Sequence, residues 1–361
     1  MIPLRILHVV AEADGPDAVA AQALAIALRT AGHASTLAGP GQTGDAISYR
    51  SGWWPWITGE RTRAVQRVAQ WMPDVIHVHG VHALGPPLDI ARRLGLGVVA
   101  SLTQGEDPHA ARRLRDPRIG WVVVPTEHLR AHALGRIGIS RDRLALIPPL
   151  APSVTLRSAT GPAWRLGILT APEAGLAGPL RDVLAGVAGV QSSGLALEAQ
   201  VHTGWLAPSQ RTALDPLLET YGVQGSTAAL PEFLAGVDAV ALAGRRELPA
   251  VAVLAALAAG LPVLAPAIGG IPELITDGSL GLLVAGTGPE AWAGSIRQLH
   301  DHCRRCDMGA AARQEVRERF READAIDALV ALYRSTLGQG GAAAKAEVSQ
   351  TWRRLSDARA R

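Results

Sequence analysis

A chain of 361 residues, 48% of them hydrophobic and with 39 glycines and 24 prolines, is long enough for two domains that each bury a core. Its composition is that of a globular α/β protein with many tight turns. Basic and acidic side chains number 35 and 32, so no field of the kind that holds nucleic acid follows from the net charge of +3. Two cysteines exclude a disulfide framework, and no apolar run approaches the ~20 residues needed to cross a bilayer. The run Ile6 to Val10 is too short for a signal peptide, and a cytoplasmic protein is the expectation. Lys345 is the only lysine, so arginine carries almost all the positive charge.

Leu4 to Val10 is the first predicted strand, nearly all apolar as a central parallel strand should be. The turn Ala13-Asp14-Gly15-Pro16-Asp17 leads into a helix from Ala18 to Thr30, stopped by Gly32-His33. Trp53, Trp54 and Trp56 are three of the nine tryptophans, and Arg61, Arg63 and Arg67 follow them on a predicted helix. Aromatic residues beside basic ones suit a peripheral membrane contact or an apolar acceptor such as a lipid-linked sugar; a loop folded onto its own surface is the alternative. Asp74 to Gly80 reads as the next strand, with His77 and His79 on one face at period two. A metal pair is one reading of them, but no third ligand is evident nearby, and no metal is expected. Val98 to Leu102 is a strand ending in Thr103-Gln104-Gly105, and Trp121 to Pro125 is another, followed by a helix. Leu144 to Leu150 closes a first domain, 1–150, and residues 151–162 have linker composition.

The second half opens with the strand Trp164 to Thr170, and Leu195 to Val201 and the short helix Leu230 to Ala235 follow. Ala239 to Ala243 reads as a buried strand, and a helix begins after Pro249 and stops at Gly260. Val263 to Ala265 leads into Gly269-Gly270, and Ile271-Pro272-Glu273 starts another helix. Helices are expected over 291–300, 308–320 and 323–337, with His300, His302, Cys303 and Cys306 at a junction between two of them. Residues 338–361 form a linker-like, basic tail.

Glu247, Gly260-Leu-Pro-Val263, Gly269-Gly-Ile-Pro-Glu273, Asp277-Gly278 and Gly281-Leu-Leu-Val284 stand in order, and together the pattern resembles the donor-binding signature of glycosyltransferase family 4. That resemblance implies an α/β fold of two Rossmann-like domains facing a cleft (the GT-B fold). It also implies a retaining enzyme that uses a nucleotide sugar as co-substrate, with no cofactor. Residues 1–150 would be the acceptor domain, joined by the helix 323–337, and 151–322 the donor domain. By the same resemblance Glu247 orients the transferred hexose. Gly15, Gly269, Gly270 and Glu273 hold the donor, and Thr103 or Gln104 touches the sugar where relatives place a histidine. The partners implied are a nucleotide sugar and a glycan or lipid-linked acceptor.

Several positions depart from the pattern. Pro16 stands where relatives have a second glycine, so one backbone N–H that an anion would meet is absent. Gly167 is followed by Ile168 and Gly175 is preceded by Ala174, where relatives carry the arginine and lysine that hold the diphosphate. Ala255 replaces the glutamate that grips the ribose. The alternative reading is therefore a catalytically inactive scaffold or regulatory subunit on the same fold.

Overall fold

The computed structural model describes residues 2–40, 47–48, 60–105, 110–152, 154, 163–170, 175–245 and 249–337. Trp53, Trp54, Trp56, Ala174, Glu247 and the tail 338–361 lie outside the described residues. Two compact units are present: one made of 1–13, 17–150 and the chain from Arg319, the other of 14–16 and 151–318.

The first unit begins with β1 (Arg5–Val9), α1 (Pro16–Thr30), β2 (Ala34–Gly39), β3 (Ile47–Ser48) and α2 (Glu60–Trp71). It continues with β4 (Val75–His79), α3 (Gly85–Leu94), β5 (Gly97–Ser101), β6 (Ile119–Val124), α4 (Glu127–His132) and β7 (Leu144–Leu146). The strands form one seven-stranded sheet in the order β3-β2-β1-β4-β5-β6-β7, and all its pairs are parallel. Helices cover both faces, which is why β4 is buried at every residue and reads as a continuous run rather than an alternation.

The second unit holds β8 (Trp164–Thr170), α5 (Ala177–Ser192), β9 (Leu197–His202), α6 (Pro208–Thr220), β10 (Gln224–Ser226) and α7 (Leu230–Ala235). After these come β11 (Ala239–Ala243), α8 (Ala250–Ala259), β12 (Val263–Pro266), α9 (Ile271–Leu274), β13 (Gly281–Val284), α10 (Pro289–Gln298) and α11 (His302–Arg319). Its sheet has six parallel strands in the order β10-β9-β8-β11-β12-β13. The last helix, α12 (Glu322–Thr336), belongs to the first unit and packs on β5 and β6. Thr336 lies in two gaps left by glycine: a Cβ on Gly97 would come within 2.8 Å of its carbonyl oxygen, and one on Gly120 within 2.7 Å of its methyl group.

The same device starts the central strand pair of each sheet. Asp74, just before β4, accepts the backbone N–H of Arg5 at 2.7 Å, and Asp238, just before β11, accepts that of Arg165 at 2.7 Å. In α8 every residue but Ala258 is buried, so the all-apolar sequence AVAVLAALAA needs no amphipathic stripe. Gly260 ends it in the left-handed region at φ 74°, and Arg313 of α11 donates to the Ala259 carbonyl at 3.3 Å, a cation at a helix C-terminus.

Two expected elements differ. The helix starting at Ile271 is a single turn, because Ile275 is extended and the chain turns at Gly278 (φ 80°) into β13. The helix expected from Met308 starts at His302, since the Asp301 carboxylate accepts the Cys303 N–H at 2.8 Å and caps it. His302, Cys303 and Cys306 therefore lie on the first turns of α11 and not at a junction.

Candidate functional sites at the two switch points

In a doubly wound parallel sheet, ligands bind beyond the carboxyl ends of the strands, where the strand order reverses. The reversal falls between β1 and β4 in the first unit and between β8 and β11 in the second.

In the second unit β8 ends at fully buried Thr170, and β11 is followed by Gly244 and Arg245. Arg245 extends its guanidinium against the first turn of α5, where a Cβ on Gly178 would come within 3.2 Å of Nη2. Sequence reasoning missed this cation, because only the fold brings the β11 end beside α5. Arg165 is the second residue of β8, at the opposite end of the strand, and Arg181 is exposed on α5. Gly167 has a packing reason: a Cβ there would come within 2.9 Å of Phe233 and 3.1 Å of Val237. Ile168 and Ala255 are fully buried, so neither position offers a polar group to a ligand.

Gly269 adopts φ 56° and Gly270 caps α9. This turn spends the N–H groups of Ile268, Ile271 and Glu273 on the carbonyls of Pro266, Ile268 and Gly270, at 2.9, 3.1 and 3.1 Å. With Pro272 in a one-turn helix there is no long macrodipole behind it, so what the two glycines offer is close backbone approach. Glu273 is half-buried on α9, and Asp277 holds the following loop by accepting the Leu283 N–H at 2.9 Å.

Gly15 is buried in the turn before α1, and Asp17, the second residue of that helix, belongs to the first unit. Thr103, beyond β5, donates its hydroxyl to Asp17 Oδ1 at 2.7 Å. Gly80 ends β4 at φ 77°, and a Cβ there would overlap Asp17 Oδ2. Gln104 is half-buried next to Thr103. Thus Thr103 and Asp17 meet, a pairing that no sequence spacing indicated.

Behind this edge, on the face covered by α1 and α12, lie three buried imidazoles. His8 of β1 is the register partner of His77 on β4, and its Nδ1 is 3.0 Å from Nε2 of His79. Nitrogens of all three lie within 4.8 Å of one another, so the third histidine that sequence reading lacked comes from the neighbouring strand. Their arrangement is a hydrogen-bonded network. His77 pairs through Nδ1 with the Tyr333 hydroxyl at 2.7 Å and through Nε2 with Ser101 Oγ at 2.8 Å. The rings of His77 and His79 stack at 4.2 Å and 26°, and lone pairs in nearly parallel planes do not converge on one ion. Burial holds all three neutral, bringing His79 down to about 3 and His8 and His77 well below the usual imidazole range. His8 Nε2 is buried without a partner. On the exposed side of α11, Cys306 Sγ lies 3.5 Å from His302 Nε2.

Two doubly wound parallel sheets of this order define the GT-B class of fold. Over 92% of this chain and all of the other, it superposes on the Anabaena HepE protein, solved with UDP and glucose, at TM-score 0.71 and 15% identity. A glycosyltransferase from Rickettsia africae superposes over 94% of this chain and all of its own at TM-score 0.69 and 15% identity. Within that fold, residues 203–302 match the family described as "Glycosyl transferases group 1". The D-inositol 3-phosphate glycosyltransferase of Corynebacterium urealyticum is 35% identical over 131 residues, which is 34% of this chain and 31% of that protein. The match thus spans about a third of that relative's length. Among the described residues, no helix is long and apolar enough to cross a membrane.

Proposed function

We propose that this protein is a glycosyltransferase that moves a hexose from a nucleotide sugar to a glycan or lipid-linked acceptor, with retention at the anomeric carbon. The observation that carries this reading is the match of residues 203–302 to the group 1 family, on a sheet whose switch point presents Arg245. In this reading the nucleotide sugar needs no cofactor or metal. Arg245 neutralises its phosphates, the Gly269-Gly270 turn and Glu273 line the donor, and Glu247 orients the hexose. Gly15 admits close approach before α1, and Thr103 or Gln104 meets a sugar hydroxyl. The bond from the anomeric carbon to the diphosphate breaks, the acceptor hydroxyl oxygen bonds to that carbon on the same face, and the hydroxyl proton passes to the departing diphosphate oxygen. Trp53, Trp54 and Trp56 are assigned to a peripheral contact with the cytoplasmic face of a membrane that carries the acceptor.

The second reading is a catalytically inactive relative, and the observation that favours it is Ala255, buried where a ribose-gripping carboxylate belongs. Calorimetry and thermal shift with UDP, GDP, ADP and their sugars decide between them, repeated on Glu247→Ala. A ligand at about a hundred times its Kd raises stability by about 2.7 kcal/mol. Binding of one nucleotide sugar that weakens in Glu247→Ala supports the enzyme. No binding at millimolar concentration leaves the scaffold.

A further inference from the structure

We infer that the start of α11 is a binding site for one zinc-like divalent cation, held by His302, Cys306 and Cys303. The site lies wholly within the second unit and uses no residue assigned to the donor. It stands whether or not the protein transfers sugars.

The Asp301 cap creates the site. By accepting the N–H groups of Cys303 at 2.8 Å and Arg304 at 3.4 Å, the Asp301 carboxylate starts the helix at His302. The sequence from His302 to Cys306 is thereby wound into a little over one turn. At ~100° per residue Cys306 comes round to ~40° from His302, one turn further along, and Cys303 stands ~60° from Cys306. All three side chains are exposed, and both cysteines of the chain are free thiols.

The spacing already fits an ion. Cys306 Sγ lies 3.5 Å from His302 Nε2. Zinc takes an imidazole nitrogen at ~2.0–2.1 Å and a thiolate sulfur at ~2.3 Å, so two such ligands on a tetrahedral ion stand about 3.6 Å apart. The pair thus forms two corners of that tetrahedron as it stands. Cys303 supplies a third ligand by rotation of its exposed side chain, and water takes the fourth corner. The imidazoles of His8, His77 and His79 differ on both counts, since the rings of His77 and His79 stack and all three are buried.

The two arginines between the cysteines turn their charge elsewhere. Arg305 donates to the carbonyls of Leu299 and His300 at 2.6 and 2.7 Å, with its guanidinium 4.8 Å from the centre of the Trp164 ring. Arg304 donates to the Gln298 side chain at 3.3 Å. Each thiol releases its proton to solvent as it binds, so two thiolates neutralise the dication. Thiolate and imidazole select zinc and its softer neighbours over magnesium or calcium, which take oxygen ligands.

The test is titration of the reduced, chelator-stripped full chain with Co²⁺, which reports thiolate ligation through a sulfur-to-cobalt charge-transfer absorption. The expected result is a band that saturates at one Co²⁺ per chain, is removed by Zn²⁺ but not by Mg²⁺, and is lost when both thiols are alkylated. Cys306→Ser and His302→Ala should each weaken Co²⁺ by about tenfold or more, because even the outer partners of metal ligands are worth about 10–100-fold. His8→Asn should leave the titration unchanged, which separates this site from the buried imidazoles. Melting curves confirm that the variants are folded, and the alkylation arm needs no variant. Absence of the band up to millimolar Co²⁺, one Co²⁺ shared by two chains, or unchanged affinity in His302→Ala overturns the inference.

Discussion

The phenol of Tyr333 lies 2.7 Å from Nδ1 of His77, joining the last helix of the chain to a central strand of the first sheet. Both residues are buried, and burial pushes the tyrosine pKa up, so the pair is a neutral hydrogen bond. Tyr333→Phe keeps the ring and leaves a buried imidazole nitrogen without its partner, a cost of about 1–3 kcal/mol. Urea unfolding should show a lower midpoint at unchanged slope. An unchanged midpoint would mean that the phenol contributes nothing to docking of α12.

Acid should destabilise the protein through its buried imidazoles. Unfolded, each of His8, His77 and His79 titrates near ~6.5. Folded, their values are depressed by burial, that of His79 to about 3. Below ~6.5 the unfolded chain therefore binds protons that the folded one refuses. Their contribution is complete above that pH and shrinks as pH falls toward the folded values, by up to about 1.4 kcal/mol per pH unit for each histidine. Urea midpoints between pH 7.5 and 5 measure this, and His8→Asn should reduce the dependence by about one proton's worth.

Gly97 and Gly120 should respond differently to the same substitution. Gly120→Ala drives a methyl into the Thr336 side chain, so Thr336→Ser or Thr336→Gly in the same protein should recover part of the loss. Gly97→Ala meets the Thr336 carbonyl oxygen, which no side-chain change moves. A double-mutant cycle on melting temperature separates the two, and equal rescue would contradict the packing described.

Arg245→Ala should weaken UDP binding by roughly ten- to hundredfold, the worth of a charge-assisted hydrogen bond of about 1.5–3 kcal/mol. Arg245→Lys should lose less, because it keeps the charge while giving up the planar fork. Calorimetry checks both, and equal affinity in all three proteins would remove Arg245 from the phosphate site.

Much of the second sheet was legible because its signals are local. Ala239 to Ala243 forms β11, and Gly260 ends α8 after Pro249 caps its start. The length of α9 was not legible, since Ile275 leaves the helix to join a turn closed from Gly278 to Gly281. At the sites, period two placed His77 and His79 on one face, yet His8 joins them only because β1 lies beside β4. Asp17 and Thr103 lie 86 positions apart, and Arg245 meets Gly178 across several elements. Each of these pairings depends on strand order, which hydrophobic pattern alone does not encode.

The placement of α12 also bears on how the protein is made. A ribosome delivers the strands of the first sheet early, but the helix that covers Val99, Trp121 and Val123 emerges only after the whole second unit. At ~5–20 residues per second that interval is on the order of ten seconds or more. Throughout it that face of the nascent first sheet has α1 but not α12 to cover it, whereas the second unit has its helices in hand as soon as it is translated. Vectorial synthesis would then complete the two halves in reverse of their order in the gene, with the early half a natural client for chaperones until Tyr333 arrives.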